Sequence, residues 1–454
     1  MFEFGRELRR LLAGEPLTGA FQDGLTGGDP SLLELLDLHL LTNEARAADL
    51  AASRIGTRER GARLLQAAVC WRELARRTGD AAILRKAAAA AEAAATAFQT
   101  MHRTSGVARA RTEQGLCALL GAELFGDDGL TAAAERVLVE AASASGVGAA
   151  MASAAIAGLK ARDVLISGDV SDVGKAAAAY EAPLAALSAS SRASGAARLA
   201  VAEHRAARAD LLSLAGARLR DRDLIEHGIR EARSGMAGLD PAYEPLSYAR
   251  ALTTYGVTMS LLAEQTGEVD PAADAVEAIT AALESVAREH SPMDWVRVQT
   301  ALGQALIVLG ELTDSPRAFE QATTCFDRAA LLLKDQTALT LRARVAAGRA
   351  QSLGRQAELT GDLAVLDTAV AAQKTELCEL RASVDPVAWA VAQLNLARLY
   401  EIRAEITGRD DGGLASASVA LATAFDVFAE HGMRSLTDLA SQAMERLRGR
   451  EKSV

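Results

Sequence analysis

A single corner recurs along this chain at an almost fixed stride, and that stride limits the fold more than any other feature. A helical run stops, a short polar turn follows, and a second helical run opens with small or branched apolar residues on one face. The corner reads Thr78-Gly79-Asp80 with Leu84 and Ala87, then Ser167-Gly168-Asp169 with Val173 and Ala176. It returns as Thr266-Gly267-Glu268 with Ala272 and Ala275, and as Thr360-Gly361-Asp362 with Leu366 and Ala369. Weaker copies stand at Gly126-Asp127, Arg220-Asp221, Asp314-Ser315 and Gly408-Arg409-Asp410. Anchored on the third turn residue they fall at 80, 127, 169, 221, 268, 315, 362 and 410, separated by 47, 42, 52, 47, 47, 47 and 48. The 42 and the 52 sum to twice 47, so one local shift interrupts an otherwise constant period. A fixed period of this length marks a repeat array, in which one supersecondary unit is stacked on copies of itself.

The corner has a physical reason at each position. Glycine just past a helix end enters the left-handed region without a Cβ penalty. The Asp, Glu or Ser that follows caps the next helix by accepting from its orphan amides. Leu or Val four residues on, then Ala three further, share one face of that helix, and the small Ala allows close approach at a helix crossing. Alanine-rich composition, 4% aromatics and nine prolines favour helix throughout. No alternating β-branched run is present, so the expected fold is all-α: an α-solenoid, or superhelix, of antiparallel helix pairs with helical caps.

The chain divides accordingly. Residues 1–56 carry an N-terminal amphipathic helix and a degenerate first repeat or cap. Within Met1–Leu12, Phe4, Leu8, Leu11 and Leu12 share a face opposite Glu3, Arg6, Glu7, Arg9 and Arg10. Residues 2–12 thus read as a cap on the first repeat, with peripheral membrane or partner docking as the other use of such a helix. No apolar core of a secretory signal follows. Asp29-Pro30 opens a helix through Leu32, Leu33, Leu35 and Leu36. Residues 57–432 hold eight helix pairs, of which 148–237 are the most degenerate and carry the shift in period, as a bend or a change of pitch would. Residues 433–454 form a capping helix (Leu436, Leu439, Met444, Leu447) and a basic tail. No uninterrupted apolar run reaches bilayer length, and the cytoplasm is the expected compartment.

Charge narrows the partners. A net charge of −10 argues against a general nucleic-acid binder. Residues 46–113 are the exception, with thirteen Arg/Lys against six Asp/Glu. That segment reads as a solvated helix face, with docking of an acidic partner as the sharper alternative. The four cysteines, at 70, 117, 325 and 378, are widely spaced within helical runs and read as small buried hydrophobes.

The best-formed unit pairs Leu302-Gly303-x-x-Leu306 with Ala322-x-x-x-Phe326-x-x-Ala329. This resembles the tetratricopeptide repeat, which joins a Leu-Gly-x-x-aromatic step to an Ala-x-x-x-Phe-x-x-Ala step. The period is longer than the usual one of about 34 residues. Trp295 and Trp389 stand two turns upstream of the Leu-Gly step, as in the long-helix tetratricopeptide variants of bacteria. The resemblance covers roughly 57–432 and is strongest from 240 onward. It implies a right-handed superhelix whose first helices line a concave groove that binds a protein segment.

Within Trp295–Gly310 the expected core stripe is Trp295, Val298, Leu302, Ala305, Leu306 and Leu309, opposite Arg297, Thr300, Gln304 and Glu311. If the first helices line a groove, that polar face looks into it. Arg250, Arg297 and Arg344 are spaced 47 and 47, and Gln304, Gln351 and Arg398 repeat likewise. Stacked guanidinium groups offer bidentate donors for carboxylates, so Arg250, Arg297, Arg344, Thr300, Gln304, Gln351 and Arg398 are the candidate partner-binding residues. Their ligand would be an acidic segment or a C-terminal carboxylate. The plainer reading is a solvated face neutralised by acids of adjacent helices.

Catalytic patterns are missing from the sequence. Six histidines fall at unrelated repeat positions, and no Glu or Cys stands at metal-ligand spacing from them. Asp127-Asp128 and Asp410-Asp411 lie in turns, where capping explains them. There is no phosphate-cradling Gly-x-x-x-x-Gly-Lys-Ser/Thr loop and no Gly-x-Ser-x-Gly. The expectation is a non-enzymatic scaffold or adaptor without cofactor or metal. The alternatives are a regulatory or targeting module for a separately encoded effector enzyme, such as a glycosyltransferase or signalling protein, and an α/α-toroid enzyme.

Overall fold

Left-handed glycines end one helix after another and set its partner antiparallel beside it. In the computed structural model, which describes residues 30–451 apart from 55, 168–169, 193, 334–337, 381, 383–385 and 410–411, φ is +72° at Gly79, +71° at Gly126, +72° at Gly267 and +70° at Gly361. Arg220 (φ 54°) and Asp314 (φ 47°) hold the same conformation without glycine, so the corner survives where its sequence signal is weakest. The carboxylates of Asp80, Asp127, Asp221 and Asp362 accept from amides of the helices they open, whereas Glu268 and Ser315 make no such cap.

The described helices are α1 (Leu38–Arg54), then the pairs α2 (Thr57–Thr78) and α3 (Ala81–Thr100), and α4 (Thr104–Phe125) and α5 (Asp128–Ala142). In the third unit α6 (Val147–Ser167) is followed by a broken partner, α7 (Val173–Ala178) and α8 (Glu181–Ser190). The array continues with α9 (Gly195–Leu219) and α10 (Arg222–Met236), α11 (Pro245–Thr266) and α12 (Val269–Ser285), and α13 (Pro292–Thr313) and α14 (Pro316–Ala330). It ends with α15 (Leu339–Thr360) and α16 (Leu363–Glu379), α17 (Pro386–Thr407) and α18 (Gly413–Glu430), and a last helix, α19 (Arg434–Glu451). No strand occurs among the described residues. The molecule is an all-α solenoid.

Each second helix packs between its own first helix and the next one, while successive first helices touch one another and form the inner layer. Alanines such as Ala87, Ala134, Ala275, Ala322 and Ala369 are fully buried at these crossings. The break in the third unit follows from Pro183, which supplies no amide and whose ring collides with the carbonyl four residues earlier. Tyr180 fills the break and is completely buried. The shift in period lies here, so the irregular spacing and the broken helix are one feature.

Several sequence expectations are corrected. No long helix starts at Pro30. A single 3-10 turn, Ser31–Leu35, ends at extended Leu36, and the Asp37 carboxylate then accepts from Leu40 N at 2.7 Å to open α1. Cys70, Cys117 and Cys325 are buried, but Cys378 is exposed, because it lies off the apolar stripe of α16. Leu439 is half exposed, and the buried stripe of α19 is Ala440, Ala443 and Leu447. α18 is the one described helix long and apolar enough to cross a membrane, with mean hydropathy 1.3. Its Leu414, Ala417, Leu421, Ala424 and Phe428 are spent on the solenoid core. The helix expected over residues 2–12 and the turn at Asp410-Asp411 lie outside the described residues.

Candidate functional site

The superhelix winds back onto itself, and this shapes its inner surface. The carboxyl end of α2 meets the amino end of α13, and the carboxyl end of α4 meets the amino end of α15, five units later in each case. Thr340 Oγ1 donates to the carbonyl of Glu123 near the end of α4. Such a contact sets the negative end of one helix dipole against the positive end of another. The trough expected to be open along its length is therefore closed over these units by the chain's own second turn.

A buried clasp secures the closure. Arg77 is fully buried, and its guanidinium donates to Glu73 at 2.9 Å and to the carbonyls of Leu33 and Leu36 at 2.7 Å each. Glu34, on the 3-10 turn, accepts from the amides of Leu246 and Ser247 at 2.8 and 2.9 Å, which open α11. His290 Nε2 lies 2.7 Å from the Glu34 carbonyl. Burial raises the Glu34 carboxyl above its usual range, against the pull of Arg250. Burial also lowers His290, so its ring stays neutral at physiological pH.

Arg250 and Arg297 converge on this region and share one acid. Arg250 grips Asp294 with two hydrogen bonds of 2.9 and 2.6 Å, and Arg297 reaches the same carboxylate at 3.4 Å. Arg250 also lies 3.6 Å from Glu73 of α2, and Arg297 donates to Glu123 of α4 at 2.8 Å. Burial pushes Asp294 up, but the two arginines outweigh it and hold the carboxyl far below the usual range. Arg72 pairs with Glu113, and Arg76 lies 3.5 Å from Glu203.

Glu203 shows that this surface is open to solvent and not a dry core. Its side chain keeps 54% of its accessible surface, yet cations on two other helices surround it. Burial raises its pKa, and Arg76, His204, Arg72 and Arg250 overcome that and bring it to about 2. Deeper along α9 the balance reverses. Burial lifts Asp210 to about 7, and only Arg344 opposes the shift.

The candidate residues thus have separate fates. Arg250 and Arg297 are consumed by acids from other units. Arg344 is exposed and forms no ion pair within 4 Å among the described residues, and Gln351 is exposed as well. Gln304 is half-buried beside Gly348. Arg398 is gripped by Glu401 at 2.9 Å, Glu358 at 3.2 Å and Glu405 at 3.3 Å. Thr300 is buried and returns its hydroxyl to the Val296 carbonyl at 2.7 Å, so it presents nothing to the lumen. α13 is covered on almost every side, including the side expected to be polar, because the first turn of the superhelix rests on it.

The acids Glu73, Glu113, Glu123, Glu203 and Asp210 were not singled out from sequence, because they come from units far from the arginines in the chain. One signal was available. Glu203 stands 47 residues before Arg250, at the ladder's own register. The ladder therefore begins with a carboxylate.

No family model matches this chain, and no curated protein matches it. Among solved structures it is similar to a Rap protein complexed with competence and sporulation factor, with TM-score 0.43 and 11% identity over 89% of this chain and 98% of that one. It is also similar to a circular tandem repeat protein with novel repeat topology, with TM-score 0.24 and 15% identity over 90% of this chain and 88% of that one. Neither likeness bears on what this chain binds.

Proposed function

We propose that this chain is a non-enzymatic, tetratricopeptide-like interaction scaffold that holds a segment of a protein partner against the inner face of its later units. One observation carries the reading. Arg344 and Gln351 lie at successive ladder positions on α15, both exposed, while the equivalent arginines of the two preceding units are already neutralised. A charge held ready and unpaired on an inner face suits a carboxylate of the partner, as an acidic side chain or a chain terminus. Arg398 contributes less, because three internal carboxylates hold it already. The cell interior fits a chain that carries reduced, buried thiols, of which Cys325 is pushed up to about 11 by burial.

The experiment is a crosslinking pulldown from the native cell with the wild type and with Arg344→Glu combined with Gln351→Glu. The reading expects a partner that crosslinks to α15 and whose recovery falls at least tenfold in the double variant. Equal recovery from a folded double variant would refute it.

A further inference from the structure

Aligning the units on their period shows that one repeat has exchanged its core for polar groups. On the second helix the residues at one core position are Ile279, Phe326, Gln373 and Leu421, and three residues later they are Ala282, Ala329, Glu376 and Ala424. The last pair follows the 48-residue step already seen at the final corner. On the first helix the equivalent residues are Tyr248, Trp295, Arg342 and Trp389, then Tyr255, Leu302, Arg349 and Leu396. The seventh unit, α15 with α16, alone in this set carries Arg, Arg, Gln and Glu where its neighbours carry large or small apolar groups. In the sixth unit Phe326 is fully buried against Gly303 and Gly348. Where the seventh unit lacks that ring, the structure has a cleft of about 400 Å³ between the end of α14, α15 and α16.

The walls of this cleft are specific. Val345, Ala346, Ala350 and Ala372 give it an apolar middle. At one end Arg342 lies 3.3 Å from Glu376 Oε2, while Glu376 Oε1 is buried with no hydrogen-bond partner. A buried carboxylate oxygen left unpaired carries its full desolvation penalty, so the site holds an acceptor that lacks its donor. Two helical turns away, Arg349 gives its Nε to Asp327 at 2.5 Å and keeps its two terminal nitrogens as a fork. Gln373 is almost fully buried and holds the Ala392 carbonyl at 3.1 Å, which fixes its amide in the wall. The volume falls within the range of roughly 300–1,000 Å³ usual for ligand pockets.

We propose that this cleft binds an extended zwitterion, its ammonium on Glu376, its carboxylate on Arg349 and an apolar middle between them. Two turns of helix are about 10 Å at 1.5 Å per residue, which sets the separation of the two charged ends. Two sources share that chemistry: a free peptide of about three residues, at about 3.3–3.6 Å each, and an ω-amino acid of similar span.

Isothermal titration calorimetry on the full chain, with trialanine and 8-aminooctanoate as probes, tests the site and separates the sources. At least one probe binds the wild type. Amidating its carboxylate weakens binding at least tenfold in the wild type but not in Arg349→Gln. Acetylating its ammonium does the same in the wild type but not in Glu376→Gln. Gln373→Phe restores the ring of the sixth unit and abolishes binding; should that variant not fold, Ala346→Leu closes the same hollow from α15. The proposal is overturned if neither probe binds, if capped and uncapped probes bind equally, or if binding survives in a folded Gln373→Phe.

Discussion

Asp210 is the residue whose chemistry departs furthest from what its place in the repeat suggests. It faces Arg344 and lies near Tyr180 of the broken helix, with Arg208 and His204 on its own helix, and burial lifts it to about 7. A carboxyl raised in the folded state binds its proton more tightly there than in the unfolded chain. Its presence therefore lowers stability as pH rises from about 4 to about 7, and the cost is complete above that window. Asp294 and Glu203 act in the opposite sense: held low, they stabilise above about 4, and that stability is lost as pH falls further. Asp210→Asn mimics the protonated form at every pH. Thermal unfolding should show a clear rise in Tm for this variant at pH 8 and almost none at pH 4.5. An equal rise at both values would mean that Asp210 titrates normally. None of this was legible from composition, because the burial of Asp210 depends on units remote from it in sequence.

At the scale of the element, the helix pairs were readable because their signals are local. A left-handed residue, a capping acid and an apolar stripe lie within ten residues of one another, so the eight corners stand out even where Arg220 and Asp314 replace glycine. The first helices were read less well. The polar face expected on α13 rested on one helix considered alone, and Thr300 on that face is buried. Packing between units also gives a sharp test. A Cβ on Gly348 would lie 2.4 Å from the Phe326 ring, which is fixed from the other side by Gly303. Overpacking of this kind costs about 1–3 kcal/mol, and urea unfolding of Gly348→Ala should show it. Gly174→Ala, on a helix with nothing near its Cβ, should instead gain about 0.5–1 kcal/mol from reduced chain freedom. If the two variants behaved alike, Phe326 would not be the wedge between the sixth and seventh units.

On the scale of the whole molecule, a constant stride is enough to infer a solenoid but not its pitch. Pitch follows from small rotations between units, and these decide whether successive turns stand apart or touch. Here they touch, through Arg77 and Glu34 at one level and through Glu123, Arg297 and Thr340 at the next. That contact brings Glu73 and Glu123 to two rungs that Asp294 already holds, and leaves the third, Arg344, exposed. The closure can be measured directly. In a Cys378→Ser background, which removes the exposed native thiol, Glu123→Cys and Thr340→Cys place two thiols on opposite sides of the turn-to-turn contact. A short bismaleimide should join them within one chain, giving a compacted, faster-migrating monomer in nearly all molecules and none in either single-cysteine control. If the double variant remained unlinked while folded, the turns would stand apart and Arg297 would lose Glu123, leaving Asp294 to hold it and Arg250 alone.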